Sequence, residues 1–182
     1  DVDANTKDTI YHTIPDFKFI AQNGETITQE TFKNQIYIAD FFFTSCKGIC
    51  MKMSSNLTKV QNILPKYGEV PIISHSVNPV ADSVSVLKNY AEQYGAKDGK
   101  WYLVTGDKKE IYSLAREGYK LPVGEGDGGE NDFIHSERFV LVDKEKIIRG
   151  YYDGTDSAEV SHLIEDVQVL LRDYKMRESE KN

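Results

Sequence analysis

The chain has 182 residues and a formal net charge of -7, from 29 acidic and 22 basic side chains. That length suits one domain, large enough to bury a core without disulfides, and 40% hydrophobic with 11% aromatic residues is a globular composition. The acidity, with a pI near 5.1, argues against nucleic-acid binding, which calls for a basic face; no apolar run approaches the ~20 residues that span a bilayer, and no signal-peptide pattern is present.

Residues 1–10 are polar and are expected to form a flexible leader to a domain over 11–174, with a charged tail at 175–182. The start at Asp1 rather than Met is expected of a mature or trimmed chain. Phe17 and Phe19 alternate with polar neighbours, as in a half-exposed strand. Asn23-Gly24 then predicts a hairpin turn, because both residues accept positive φ, with Glu25–Thr28 as the return strand. Gln29 to Phe32 reads as a short helical turn or loop. Ile36–Phe43 is nearly continuous apolar sequence, the pattern of a strand buried on both faces.

A helix follows from Met51 to about Leu64, with Met53, Leu57, Val60 and Leu64 on one side. Val70–Val77 is a second strand, broken by Asn78-Pro79. Asp82 is the expected N-cap of a helix carrying Val84, Leu87, Ala91 and Tyr94, with Gly95 as its stop. Trp101–Val104 is a third strand. Asp107 caps a helix with Ile111, Leu114 and Ala115 as its apolar stripe. Residues 124–132 hold no apolar side chain and are expected to form a mobile loop; they lack the residue order of a calcium-binding EF-hand loop. Phe139–Val142 and Lys146–Tyr152 form a late hairpin around Asp143-Lys144-Glu145. Asp156 caps a last helix with Val160, Leu163, Ile164, Val167, Leu170 and Leu171 as its stripe, and the chain is expected to fray from Arg172. Alternating strands and helices, followed by an antiparallel pair, predict an α/β fold with a mixed sheet between two helical layers.

The only two cysteines, Cys46 and Cys50, sit where the strand over 36–43 turns into a helix. In an open α/β sheet, sites form outside the carboxyl ends of the strands. On a continuous helix, side chains at i and i+4 have Cβ atoms roughly 5–6 Å apart, whereas a disulfide needs roughly 3.5–4.5 Å. The pair can therefore bridge only if Cys46 lies in an irregular turn. A metal held about 2.3 Å from each sulfur would span the wider gap. The spacing tolerates a disulfide, a metal, or two small buried hydrophobes. The surrounding Thr, Ser, Lys and Gly make the turn polar and disfavour the last reading. A helix N-terminus with Lys47 and Lys52 nearby favours thiolate at both positions, and two thiolates suit Cu(I) or zinc better than an iron–sulfur cluster.

A tight metal site needs a further ligand. His135, between the acidic loop and a core strand, is one candidate. His75, at the end of a central strand, is a second that could face the same site. His12 and His162 read as surface residues, Met53 as core and Met51 as ambiguous.

Three segments together resemble the SCO/SenC family: Phe42-Phe43-Thr44-Ser45-Cys46 to Cys50; Ser76-Val77-Asn78-Pro79 to Asp82, Leu87 and Tyr90; and Asp132-Phe133-Ile134-His135-Ser136 before a strand. The resemblance covers roughly residues 12–172. It implies a thioredoxin-like fold and copper bound by Cys46, Cys50 and His135, in a metallochaperone rather than an enzyme. The implied partner is the copper-centre subunit of cytochrome c oxidase or another copper carrier. The implied location is extracytoplasmic, in the periplasm or the mitochondrial intermembrane space, tethered through an N-terminal anchor. Thiol–disulfide exchange by the Cys46/Cys50 pair, and copper or redox sensing, are the alternatives. The chain departs from the family pattern at Lys47 and Met51, where proline is usual, and at Asn78, where aspartate is usual. Nothing in the sequence specifies an oligomeric state.

Overall fold

The computed structural model describes residues 11–123, 129 and 134–180. The expected flexible leader over 1–10 and most of the expected loop over 124–132 lie outside the described residues.

Four helices pack on a mixed sheet. The strands are β1 (Lys18–Ala21), β2 (Thr26–Thr28), β3 (Tyr37–Phe42), β4 (Ile72–Ser76), β5 (Trp101–Thr105), β6 (Arg138–Val142) and β7 (Ile148–Asp153). The helices are α1 (Ile49–Ile63), α2 (Val84–Tyr94), α3 (Lys108–Ser113) and α4 (Ser157–Ser179). Short 3-10 turns cover Gln29–Phe32 and Leu64–Lys66, and a π turn, Leu114–Gly118, extends α3. The strand order is β2-β1-β5-β4-β3-β6-β7. The β3, β4 and β5 strands are parallel, and every other pairing is antiparallel. This is the mixed sheet expected from the element order.

All six residues of β3 are buried. Its side chains alternate between two cores, as the two-residue period of a strand requires. Ile38 and Phe42 join Met53, Leu57 and Val60 of α1, Leu87 of α2, and Val160, Leu163 and Val167 of α4. Tyr37, Ala39 and Phe41 join Phe19, Ile27, Ile111 and Tyr119 on the other face. Burial of both faces explains why this strand reads as a continuous apolar run.

Two boundaries differ from the sequence expectation. First, α1 starts at Ile49, so Cys50 lies inside the helix. Second, α4 runs unbroken to Ser179 instead of fraying from Arg172. Its last turns are anchored: Tyr174 is buried and donates its hydroxyl hydrogen to Glu145. Lys144 pairs with Glu178 at 2.9 Å, and Arg177 with Asp173 at 2.7 Å. A charged sequence stays helical here because a partner loop receives it.

Candidate metal centre

The β3 strand ends at Phe42, and residues 43–48 turn before α1 begins. This places Cys46 in irregular backbone and Cys50 in the first helical turn. Asp82 holds the turn. Its carboxylate accepts hydrogen bonds from the Thr44 amide at 3.1 Å, the Thr44 hydroxyl at 2.5 Å and the Ser76 hydroxyl at 2.6 Å. Asp82 is therefore not the cap of α2. Ser83 takes that role, accepting from the Val86 amide, while Asp82 is buried and ties the ends of β3 and β4 together.

The first turn of α1 has no ordinary cap. Gly48 stands at the N-cap with no side chain to offer, and the amide of Cys50 points at the sulfur of Cys46, 3.4 Å away. The Cys46 sulfur thus occupies the place of a capping oxygen. Partial burial pushes the Cys46 thiol up, but the amides of Cys50, Gly48 and Ile49 outweigh it, and the net shift is downward. Cys50 goes the other way: burial, then the Cys46 sulfur and Asp40, push it up to about 12. The expectation of thiolate at both positions is corrected in this respect. Hydrogen bonds from the Cys50, Gly48 and Ile49 amides and from the Cys50 thiol lower Cys46, whereas at Cys50 a single backbone hydrogen bond at Phe43 is outweighed by burial. Neither cysteine is bonded to the other.

His135 approaches from the opposite wall. The Tyr112 hydroxyl donates to the Val77 carbonyl at 2.8 Å and lies 3.4 Å from the Ile134 amide. That contact seats the residue before His135 against the exit of β4. The His135 ring is exposed and meets Phe43 edge-on, with centroids 6.1 Å apart at 77°. A cavity of about 290 Å³ lies between, and Phe43, Cys46, Cys50, Val77, Ile134 and His135 are among its lining. The structure thus brings all three sequence-predicted ligands to one mostly apolar cavity. It does not gather them tightly: among the described residues, no three His, Cys, Asp or Glu side chains are close enough to share one ion. The donor set, two sulfurs and an imidazole, suits a soft cation such as Cu(I).

The other candidates fall away. His75 is fully buried in the opposite core, between the rings of Phe17, Phe19, Phe41 and Tyr119. Its place opposite Phe41 in the β3–β4 register fixes that face. Burial lowers its pKa to about 3 and keeps it neutral. His12 contacts the Gly118 carbonyl at 2.7 Å, far from the cysteines in the chain. His162 is exposed on α4 beside Glu159. Met53 is core, and Met51 lies exposed on the first turn of α1. Asn78 keeps a turn role, its amide donating to the Ser76 hydroxyl at 3.1 Å.

Comparison with known proteins follows the same lines. The sequence profile of the SCO1/SenC family matches residues 5–172. A SCO1 protein homologue of Bacillus subtilis is 32% identical over 164 residues, covering 89% of this chain and 84% of its own. The structure resembles that of BsSco, a member of the Sco family of cytochrome c oxidase assembly proteins in which a disulfide switch was identified, with 30% identity, a TM-score of 0.75, and coverage of 91% of this chain and 96% of that one. Copper-bound ScoI of Arabidopsis thaliana shares the fold, at 23% identity and a TM-score of 0.71, over 89% of this chain and 99% of that one.

Proposed function

The chain belongs to the SCO1/SenC family, and on that premise we propose that it carries copper, held by Cys46, Cys50 and His135, for assembly of the copper centre of cytochrome c oxidase. The observation that supports this reading is the convergence of those three side chains on one cavity at the carboxyl ends of β3 and β4. Copper is the cargo in this account. Two thiolates and an imidazole accommodate Cu(I) and can also hold Cu(II). The Cys46 thiol is shifted downward and that of Cys50 up to about 12, so binding would have to displace the proton of Cys50 and uptake releases acid. The partner is the copper-centre subunit of the oxidase or another copper carrier. The work takes place outside the cytoplasm, with the domain tethered to a membrane; among the described residues no helix is long and apolar enough to cross one.

A second reading rests on the asymmetry of the two thiols. A half-exposed, activated Cys46 backed by a buried Cys50 is the arrangement of a thiol–disulfide exchanger. The Cys46 thiolate would attack a partner disulfide, and Cys50 would resolve the mixed disulfide. The products are a Cys46–Cys50 disulfide and a reduced partner.

Titration of reduced protein with Cu(I) and Cu(II) separates the two. The copper reading predicts one equivalent bound, weakened at least about tenfold in His135→Ala, with dithiol cycling intact in that variant. Weak copper binding that ignores His135, beside rapid cycling of the cysteines, would transfer the function to thiol exchange.

A further inference from the structure

We propose that the rim around Cys46 is a docking surface for an acidic protein segment, one that brings the copper ligand or cysteine with which Cys46 exchanges. The inference rests on the reading above that this turn exchanges copper or thiols with a partner.

The chain as a whole is acidic, at -7, so an acidic partner would be repelled if net charge decided the matter. It does not decide at contact range. The Debye length is about 8–10 Å at physiological ionic strength, so charges beyond that distance are largely screened. The charges next to Cys46 in the chain are cationic. Lys47 is the neighbour of Cys46, and Lys52 lies on the first turns of α1. Both are exposed, and neither belongs to an ion pair among the described residues. Both border a polar basin beside the cysteine turn, with Lys59 further along.

The acidic groups nearby are Asp153 and Asp156 across that basin, and Glu137 on the His135 side of the cavity. Asp153 is engaged with Thr155, and Asp156 caps α4. Asp82 is buried beneath Thr44 with its oxygens occupied. The cysteine turn and the first turns of α1 therefore carry lysine alone, Lys47 and Lys52, while Glu137 is the acidic group that shares the cavity with Cys46.

Apolar contact area lies on the same rim. Ile49 and Met51 are each 44% exposed, and Val80 is 90% exposed. Val80 sits at the tip of the turn that Asp82 ties to Thr44, which brings it to the same end of the sheet. Exposed aliphatic side chains with charge at their edge are the make-up of an interface, where the apolar part supplies area and the charges supply orientation and on-rate. The partner segment that fits is apolar at its centre and rich in Asp and Glu at its flanks.

The test uses synthetic peptides carrying one thiopyridyl-activated cysteine flanked by glutamates, by serines or by lysines. The Cys46 thiolate displaces pyridine-2-thione and forms a mixed disulfide, so release of the thione gives the rate. At physiological ionic strength, where the distant charges are screened, the glutamate peptide should react fastest and the lysine peptide slowest, about tenfold apart, and the spread should collapse in high salt. Lys47→Gln with Lys52→Gln should remove most of the spread. Lys66→Gln, on a distant exposed lysine, should keep it. Both rim lysines are exposed, so the variants should fold as the parent does. Equal rates for the three peptides, or a spread that survives the double substitution, would overturn the proposal. The measurement needs no copper, so failure of copper binding and failure of the docking surface are read separately.

Discussion

Asp82 and the cysteine pair carry the residue-scale account. The Asp82 carboxylate accepts three hydrogen bonds from β3's exit and from β4, and removing it takes the acceptor from the Thr44 amide, the Thr44 hydroxyl and the buried Ser76 hydroxyl, which keeps only the Asn78 amide. Asp82→Ala should lower unfolding stability by about 3 kcal/mol, read as a reduced urea midpoint with an unchanged slope. A midpoint within experimental error of the parent would show that the clamp contributes nothing. The sequence singled out the cysteine pair by its place at a strand end and His135 through the family resemblance, and the structure brings the three to one cavity. The sequence did not make Asp82 legible, because a carboxylate ahead of a helix is first read as a cap, and Ser83 beside it hides the substitution of roles. Nor did it reveal that the two thiols differ. That difference comes from the helix start at Ile49, which aims the Cys50 amide at the Cys46 sulfur while Cys50 itself is buried.

The pairing of β3 and β4 places two perturbed groups on opposite faces of one pair of strands. Asp40 is buried, accepts a hydrogen bond from the Ser74 hydroxyl, and is pushed up to about 7 by burial. His75, one step along the neighbouring strand, is pushed down to about 3 by burial. The two act in opposite senses. Between about pH 4 and 7 the folded chain keeps a proton on Asp40 that the unfolded chain has lost, so that contribution to stability falls as pH rises. Between about pH 3 and 6.5 the unfolded chain holds a proton on His75 that the folded chain lacks, so that contribution rises with pH. Across the shared window they offset one another. Asp40→Asn should remove the falling limb, giving stability that climbs from pH 4 to 6.5 by on the order of 1 kcal/mol per unit and exceeds the parent at neutral pH. Parallel stability profiles for the variant and parent would contradict the assignment. At this scale the sequence read well where apolar periodicity decides: β3, the stripe of α1 and the stripe of α4 stand where it placed them. It read poorly where a tertiary partner decides. The last turns of α4 hold because Tyr174 and Glu178 find Glu145 and Lys144, contacts far apart in sequence.

Over the whole molecule, topology brings the site together. The β3 and β4 strands run parallel and deliver the cysteine turn and the 77–82 turn to one end of the sheet. The β6 strand runs antiparallel to β3, so the residues that enter it, His135 among them, lie at that same end. The alternation of elements predicted a mixed sheet, while the link between the cysteines and a histidine some 85 residues on came from the family resemblance. Which face His75 takes depends on strand register, which a single sequence does not declare. The central claim is that Cys46, Cys50 and His135 hold one copper ion together. X-ray absorption at the copper edge, on the Cu(I)-loaded protein and on His135→Ala, tests it most directly. The account predicts two sulfur neighbours and one nitrogen in the parent, with the nitrogen lost in the variant. A sulfur-only shell in the parent, or a nitrogen that persists without His135, would contradict it.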